Sequence, residues 1–181
     1  MVYVPLQVTP PGRSPNARGE FRLTYGDTLP YRGEKCEIKA SRLGRTAWAD
    51  GVFYIRPGLA PEEIRKACMG IYRTQAKEVL GQKVKAFAEK MGVRPAKVEC
   101  RGNEERWGSC DGLGQINYSW RLMACPEDII DYVVVHELSH LKEFNHADSF
   151  WALVEQFIPF AREKHRQLEI TRRALRECNF I

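Results

Sequence analysis

Histidine is scarce in this chain, with four in 181 residues, and several other features are missing. No apolar run approaches the ~20 residues of a membrane-spanning helix, so no helical bilayer span is expected. Met1 to Gly19 show no basic-then-apolar signal pattern and carry Pro5, Pro10, Pro11 and Pro15. That segment reads as a poorly ordered arm over 1–20, and a cytoplasmic location is expected. The six cysteines, Cys36, Cys68, Cys100, Cys110, Cys125 and Cys178, form no C-x-x-C pair and keep no short regular spacing. In a cytosolic chain they are expected to be reduced, small and buried. No phosphate-binding glycine loop, internal repeat or domain linker is present. The length suits one domain over 1–181, and 44% hydrophobic with 28% charged residues is the balance of a globular protein.

The few histidines are concentrated. Three fall within 136–146, where His136-Glu137-Leu138-Ser139-His140 is an H-E-x-x-H pattern followed by His146. On a helix, positions i and i+4 share a face, so both imidazoles close on one ion. Catalytic zinc takes three protein ligands and keeps a fourth position open. His136 and His140 supply two, and His146 is the nearest third. Glu137 is then the base that deprotonates the attacking water. Cys110 and Cys125 are weaker ligand candidates, because the histidines already fill such a set. Ile129, Ile130, Val133, Val134, Leu138 and Leu141 recur at helical spacing, so the metal helix has a wide apolar face and is buried. A buried carboxylate beside two imidazoles is costly unless paired or metal-bound, which opposes a chance pair of surface histidines.

The net charge of +5 is modest. Arg162, Lys164, Arg166, Arg172, Arg173 and Arg176 outnumber Glu163, Glu169 and Glu177 near the C-terminus. A solvated helix face is the default reading, and a nucleic-acid or phosphate surface the rival. Strands are expected over 21–25, 35–40 and 52–55, forming a small antiparallel sheet with a hairpin signal at Asp50-Gly51. A helix is expected from Pro61 to a stop at Gly92, with Gly81 leaving open whether it is one helix or two. A strand at 98–101 precedes a hairpin over 105–122, whose apolar residues alternate at 116, 118, 120 and 122. Its free edge would suit an extended peptide. The metal helix starts at Pro126 and is expected to stop at Asn145. Asp148 or Ser149 then caps a helix through Phe157, whose Phe150, Trp151, Val154 and Phe157 pack under the site, and Pro159 opens the last helix.

Arg106-Trp107-Gly108-Ser109-Cys110, Ile116-Asn117 to Trp120-Arg121-Leu122, Ile130 to Leu141, Asn145-His146 and Phe150-Trp151 together resemble the YgjP-like metallopeptidase domain. The likeness is dense over about 106–158 and weakest over 1–55. Members of that family are described as predicted metal-dependent hydrolases. The resemblance implies an α+β, zincin-like fold, with N-terminal strands in 21–56 and the zinc-site core and C-terminal helices in 96–177. It implies His136, His140 and His146 as zinc ligands, Glu137 as the catalytic residue, and the 105–122 hairpin beside the cleft. The gap between His140 and His146 matches that of metzincin proteases, but Glu143 stands where those carry Gly. That leaves the turn to Asn145. In gluzincins the third ligand is a later Glu, here Glu155; His146 is favoured, with Glu155 orienting a ligand histidine instead.

The expected function is a zinc-dependent metallopeptidase acting on peptides or proteins. Arg106, Tyr118 and Tyr132 are the candidates for steadying a developing oxyanion or touching substrate. One alternative is a metal-dependent nucleotide phosphohydrolase, of the nucleoside triphosphate pyrophosphatase kind. Another is a nucleic-acid-associated protein with a structural zinc site. The intact Glu137 counts against the last, since a structural site needs no base.

Overall fold

A computed structural model describes residues 22–102 and 106–177. The expected arm over 1–20 and the start of the expected strand at Phe21 lie outside them. The rest of that strand, up to Tyr25, is not one: residues 22–24 are irregular, and Tyr25 and Gly26 form a turn held by Thr24 N–H and Oγ1 donating to the Asp27 carboxylate at 2.7 and 3.0 Å.

The first sheet contains β1 (Thr28–Tyr31), β2 (Glu34–Ala40), β3 (Ala47–Ala49) and β4 (Val52–Ile55), in the order β1-β2-β4-β3. It is mixed, not antiparallel throughout. β1 pairs antiparallel with β2, β2 parallel with β4, and β3 antiparallel with β4. The Asp50-Gly51 turn is present, with φ of 51° and 73°. Two positive φ values suit the tight twist of a two-residue hairpin. It joins β4 to the short β3, which the sequence reading missed, rather than to β2; three residues carry little periodicity.

The chain then enters α1 (Pro61–Met91), a single helix that ends at Gly92 with φ 61°. Ala60 N–H donates to the Glu63 carboxylate at 2.9 Å, satisfying one of the free donors at the helix start. Gly81 does not break it, because the apolar face continues on both sides through Val79, Leu80 and Val84, all buried. Tyr72 binds the first sheet to α1: its ring stacks on Phe53 at 5.5 Å and meets Tyr31 edge-on at 5.7 Å.

The second sheet holds β5 (Lys97–Arg101), β6 (Gly108–Cys110) and β7 (Gln115–Ser119), in the order β5-β7-β6. The hairpin expected over 105–122 is β6–β7, but its second strand stops at Ser119. A 3-10 helix over Trp120–Ala124 follows, with Ser119 Oγ accepting from Arg121 N–H. Alternation fails there because Trp120 to Ala124 are all buried, so no side of the segment faces water as a half-buried strand requires. β7 is the central strand, so the free edge expected of it belongs to β6.

The helix expected to hold the metal, α2 (Glu127–Ser139), begins where expected but ends six residues before Asn145. Asn145 is not left-handed, since positive φ among non-glycine residues occurs only at Arg32, Asp50 and Phe160 in the described chain. Instead Asn145 Oδ1 accepts from Ala147 N–H at 3.2 Å. α3 (Asp148–Glu155) lacks the expected side-chain cap: Ala147 is its N-cap, and Ser149 Oγ donates to Glu143 Oε2 at 3.0 Å. α4 (Ala161–Glu177) starts two residues after Pro159, beyond Phe160 at φ 59°.

The architecture is α+β, as expected. α2 lies in the middle, packed against α1, β6, α3 and α4. Ile129, Ile130, Val134, Val135 and Leu138 have no exposed surface. Burying each such side chain contributes about 1.5–3 kcal/mol, so this helix anchors its functional residues rigidly. Lys83 on α1 bonds both Asp131 and Glu127 of α2, at 2.5 and 2.7 Å, and Arg32 adds an ion pair to Glu127. Among the described residues no helix is long and apolar enough to cross a membrane.

Candidate metal centre

His136 lies in the last turn of α2 and His140 caps it. His146 returns from the following turn. One ligand atom from each of the three falls within 4.8 Å of the others, and the Nε2 atoms of His136 and His146 are 3.0 Å apart. Tetrahedral zinc with bonds of about 2.0–2.1 Å spaces its nitrogens roughly 3.3 Å apart. The cluster is therefore of a size and donor type that suits such an ion.

The rings are fixed from behind. His140 Nδ1 lies 3.0 Å from the Glu143 carbonyl, which leaves Nε2 for the cluster. Glu143 thus shapes the turn through its backbone, and its carboxylate ties that turn to α3 through Ser149. The turn geometry assigned above to Asn145 is largely the work of Glu143. Phe150 of α3 is completely buried and lies beneath all three imidazoles, with ring centroids 4.7–4.9 Å from each. The packing expected of Phe150 is present.

Burial, then the neighbouring histidines, lowers the His136 pKa to about 3, and His146 shifts the same way for the same reasons. A neutral imidazole is the form that binds a metal.

Glu137 follows His136 on α2 and is 6% exposed. It opens on a cleft of about 170 Å³ lined in part by Arg106, Trp107, Gly108, Tyr132, His136 and His165. Burial pushes its carboxyl up to about 8, while the Arg106 charge pulls the other way. A larger cavity of about 420 Å³ lies between α1 and β5. It contains no histidine, and its Glu99 is paired with Lys97 and Arg101, so the chemistry points to the smaller cleft.

The other candidates fall in different places. Tyr118 is fully buried and its hydroxyl donates to the Val134 carbonyl at 3.1 Å. The Tyr132 hydroxyl lies 3.1 Å from Nδ1 of both His136 and His165. Arg106 is exposed at the cleft. Glu155 is exposed on α3 and, among the described residues, makes no hydrogen bond to the three histidines. Cys125 is buried, and burial raises the Cys110 thiol to about 11, so it stays protonated. The basic residues of α4 are largely engaged: Arg162 with Asp148, Lys164 with Asp128, Arg166 with Glu163 and Arg172 with Glu169. These four pairings fit a solvated, ion-paired face.

Two residues at the site had no role in the sequence reading. Gly108 carries the β6 backbone past Glu137, and His165 reaches Tyr132 from α4. Tyr132 at i−4 from His136 was a usable local signal; nothing near His165 in sequence pointed to it.

Comparison with solved structures gives two likenesses. The metallopeptidase zymogen abylysin of Pyrococcus abyssi is 23% identical, with a TM-score of 0.46 over 51% of this chain and 93% of that one. The metallopeptidase zymogen jannalysin of Methanocaldococcus jannaschii is 15% identical, with a TM-score of 0.44 over 52% of this chain and 95% of that one. A comparison with curated proteins finds no match. The model of the YgjP-like metallopeptidase domain family matches residues 13–171, and the chain belongs to that family.

Proposed function

We propose that this chain is a zinc-dependent peptidase in which His136, His140 and His146 hold the metal and Glu137 carries the proton. The observation that supports this most directly is the adjacency of two things: three imidazole ligand atoms within 4.8 Å of one another, and a buried carboxylate on the next residue of the same helix, open to a cleft. Bound zinc supplies Lewis acidity, polarising a scissile carbonyl and bringing the pKa of water to about 7.

Glu137 takes the proton of the attacking water and passes it to the leaving amine. Its raised proton affinity suits a base working near neutral pH, and a nearby cation would draw it back towards the carboxylate. Arg106 is assigned to the developing oxyanion. It sits in the cleft, whereas Tyr118 donates to Val134 and Tyr132 holds two imidazoles. Glu155 is left without a role at the metal. An extended peptide would add to the outer edge of β6, an edge strand that runs beside Glu137.

The test is to offer the zinc-loaded protein casein and peptide libraries and, separately, nucleoside triphosphates. Peptide cleavage is expected, reduced by about 10²–10⁴-fold in Glu137→Gln with zinc still bound. Hydrolysis of nucleotides without peptide cleavage would overturn the peptidase reading in favour of a phosphohydrolase. Salt-dependent nucleic-acid binding, unchanged in Glu137→Gln and with no hydrolysis, would favour a structural zinc site.

A further inference from the structure

The metal reading occupies three of the four histidines. The fourth, His165, approaches the same centre from α4 through one shared partner. The Tyr132 hydroxyl stands between His136 and His165, 3.1 Å from Nδ1 of each ring. The two rings are nearly parallel, at 11°, with centroids 6.4 Å apart.

Hydrogen counting gives this bridge a direction. The Nε2 atom of His136 faces His146, so Nδ1 is the nitrogen left for Tyr132. A neutral histidine that ligates through Nε2 carries its hydrogen on Nδ1. That N–H donates to the Tyr132 oxygen. A phenol has a single hydrogen, and the acceptor left for it is Nδ1 of His165. The hydrogen of neutral His165 is then on Nε2. With the opposite direction, His136 would present an N–H to the metal side and could not ligate.

His165 is held where this requires, although its own ring is exposed. The preceding residue, Lys164, pairs with Asp128 of α2, and Arg162 pairs with Asp148 of α3. The Arg162 guanidinium lies 4.9 Å over the Trp151 ring, and that ring is 5.9 Å from His165. Leu168, one turn on, is buried. Tyr132 is 1% exposed, so with His165 in place its hydroxyl is shielded from water.

We infer that His165 is a positioning residue of the metal centre: by accepting the Tyr132 hydroxyl hydrogen it fixes the tautomer of His136 and presents Nε2 to the ion. The inference rests on the metal-site reading above. Partners of this kind behind a ligand histidine are typically worth 10–100-fold in metal affinity.

The experiment measures zinc affinity of the full chain by chelator competition, with folding of each metal-free variant followed by circular dichroism. His165→Ala is expected to weaken zinc binding about tenfold, and Tyr132→Phe by a similar factor. The double variant should bind no more weakly than Tyr132→Phe alone, because both changes break one relay. His165→Gln keeps an acceptor and should recover most of the loss; if the alanine variant does not fold, Tyr132→Phe and the tautomer spectra below carry the test. Long-range ¹⁵N–¹H spectra of the zinc-loaded protein should show His165 with its hydrogen on Nε2 and His136 with its hydrogen on Nδ1. Zinc affinity of both His165 variants within about twofold of wild type, losses that multiply in the double variant, or a hydrogen on His165 Nδ1 would each overturn the inference while leaving the metal site intact. Absence of zinc binding by the wild-type protein would overturn the metal reading and this inference together.

Discussion

Gly108 and Glu137 touch so closely that no other residue fits at position 108 without displacing the carboxylate. A methyl group built on Gly108 would lie 2.6 Å from both Cγ and Oε1 of Glu137. β6 is thereby brought against the side chain proposed to carry the proton. Gly108→Ala is expected to destabilise the fold by about 1–3 kcal/mol, as overpacking does. It should lower peptidase activity by more than tenfold, since about 1.4 kcal/mol of misplacement suffices for that. Zinc affinity should change far less, because the atoms that an added methyl would meet within 3 Å all belong to Glu137 and none to the three histidines. Activity, thermal unfolding and chelator competition on one preparation check all three; unaltered activity would detach β6 from the catalytic geometry.

The Glu137 proton links stability to pH in the metal-free protein. Burial raises this carboxyl to about 8, against about 4.3 in an unfolded chain. The stabilisation from the bound proton is full below about pH 4.3 and is lost as pH rises through about 8, with a ceiling of about 5 kcal/mol. His136 acts in the other direction: with its pKa lowered to about 3, its contribution is present above about pH 6.5 and is lost as pH falls. Comparison with Glu137→Gln cancels the histidine. Denaturant midpoints should show zinc-free wild type losing stability relative to Glu137→Gln between about pH 5 and pH 8, and zinc should shrink that difference by favouring the carboxylate. Parallel pH profiles for the two zinc-free proteins would contradict the burial of the charge.

The third ligand is separable by two substitutions. His146→Ala removes a member of the three-imidazole cluster and should weaken zinc binding by 100-fold or more, on the order of 3 kcal/mol. Glu155→Ala alters an exposed side chain and should leave zinc affinity within about twofold, a few tenths of a kcal/mol. The reverse pattern would move the ligand set to the glutamate type.

Gly81 lies in the interior of α1, is exposed, and has nothing within 4 Å of where a Cβ would go. Gly81→Ala should therefore raise stability by about 0.8–1 kcal/mol, through helix propensity and a less flexible unfolded chain. Thermal or urea unfolding checks it. A loss of stability would mean that α1 needs a glycine there for a reason other than space.

Much of the fold was legible where a pattern ran long. α1 could be bounded from Pro61 and Gly92, and α2 recognised from its apolar face, because three or more turns of periodicity accumulate signal. Errors arose where segments were short or buried all round. β3 has three residues, and the apolar alternation that extends to 122 in the sequence runs into a fully buried 3-10 helix from Trp120. The mixed pairing of the first sheet was also hidden, since strand direction depends on which distant segments meet rather than on any one of them.

At the site, the spacing of His136, Glu137 and His140 was determined by the sequence alone: one helical turn places the two imidazoles together whatever the surroundings, and His146 needs only a short turn to reach them. Tertiary structure alone decided the rest. It set Gly108 against Glu137, Phe150 beneath the imidazoles, and His165 against Tyr132 from 33 residues away. Those contacts join separate elements, and their existence depends on how α2 packs among β6, α3 and α4, a collective outcome of burial that no local spacing encodes.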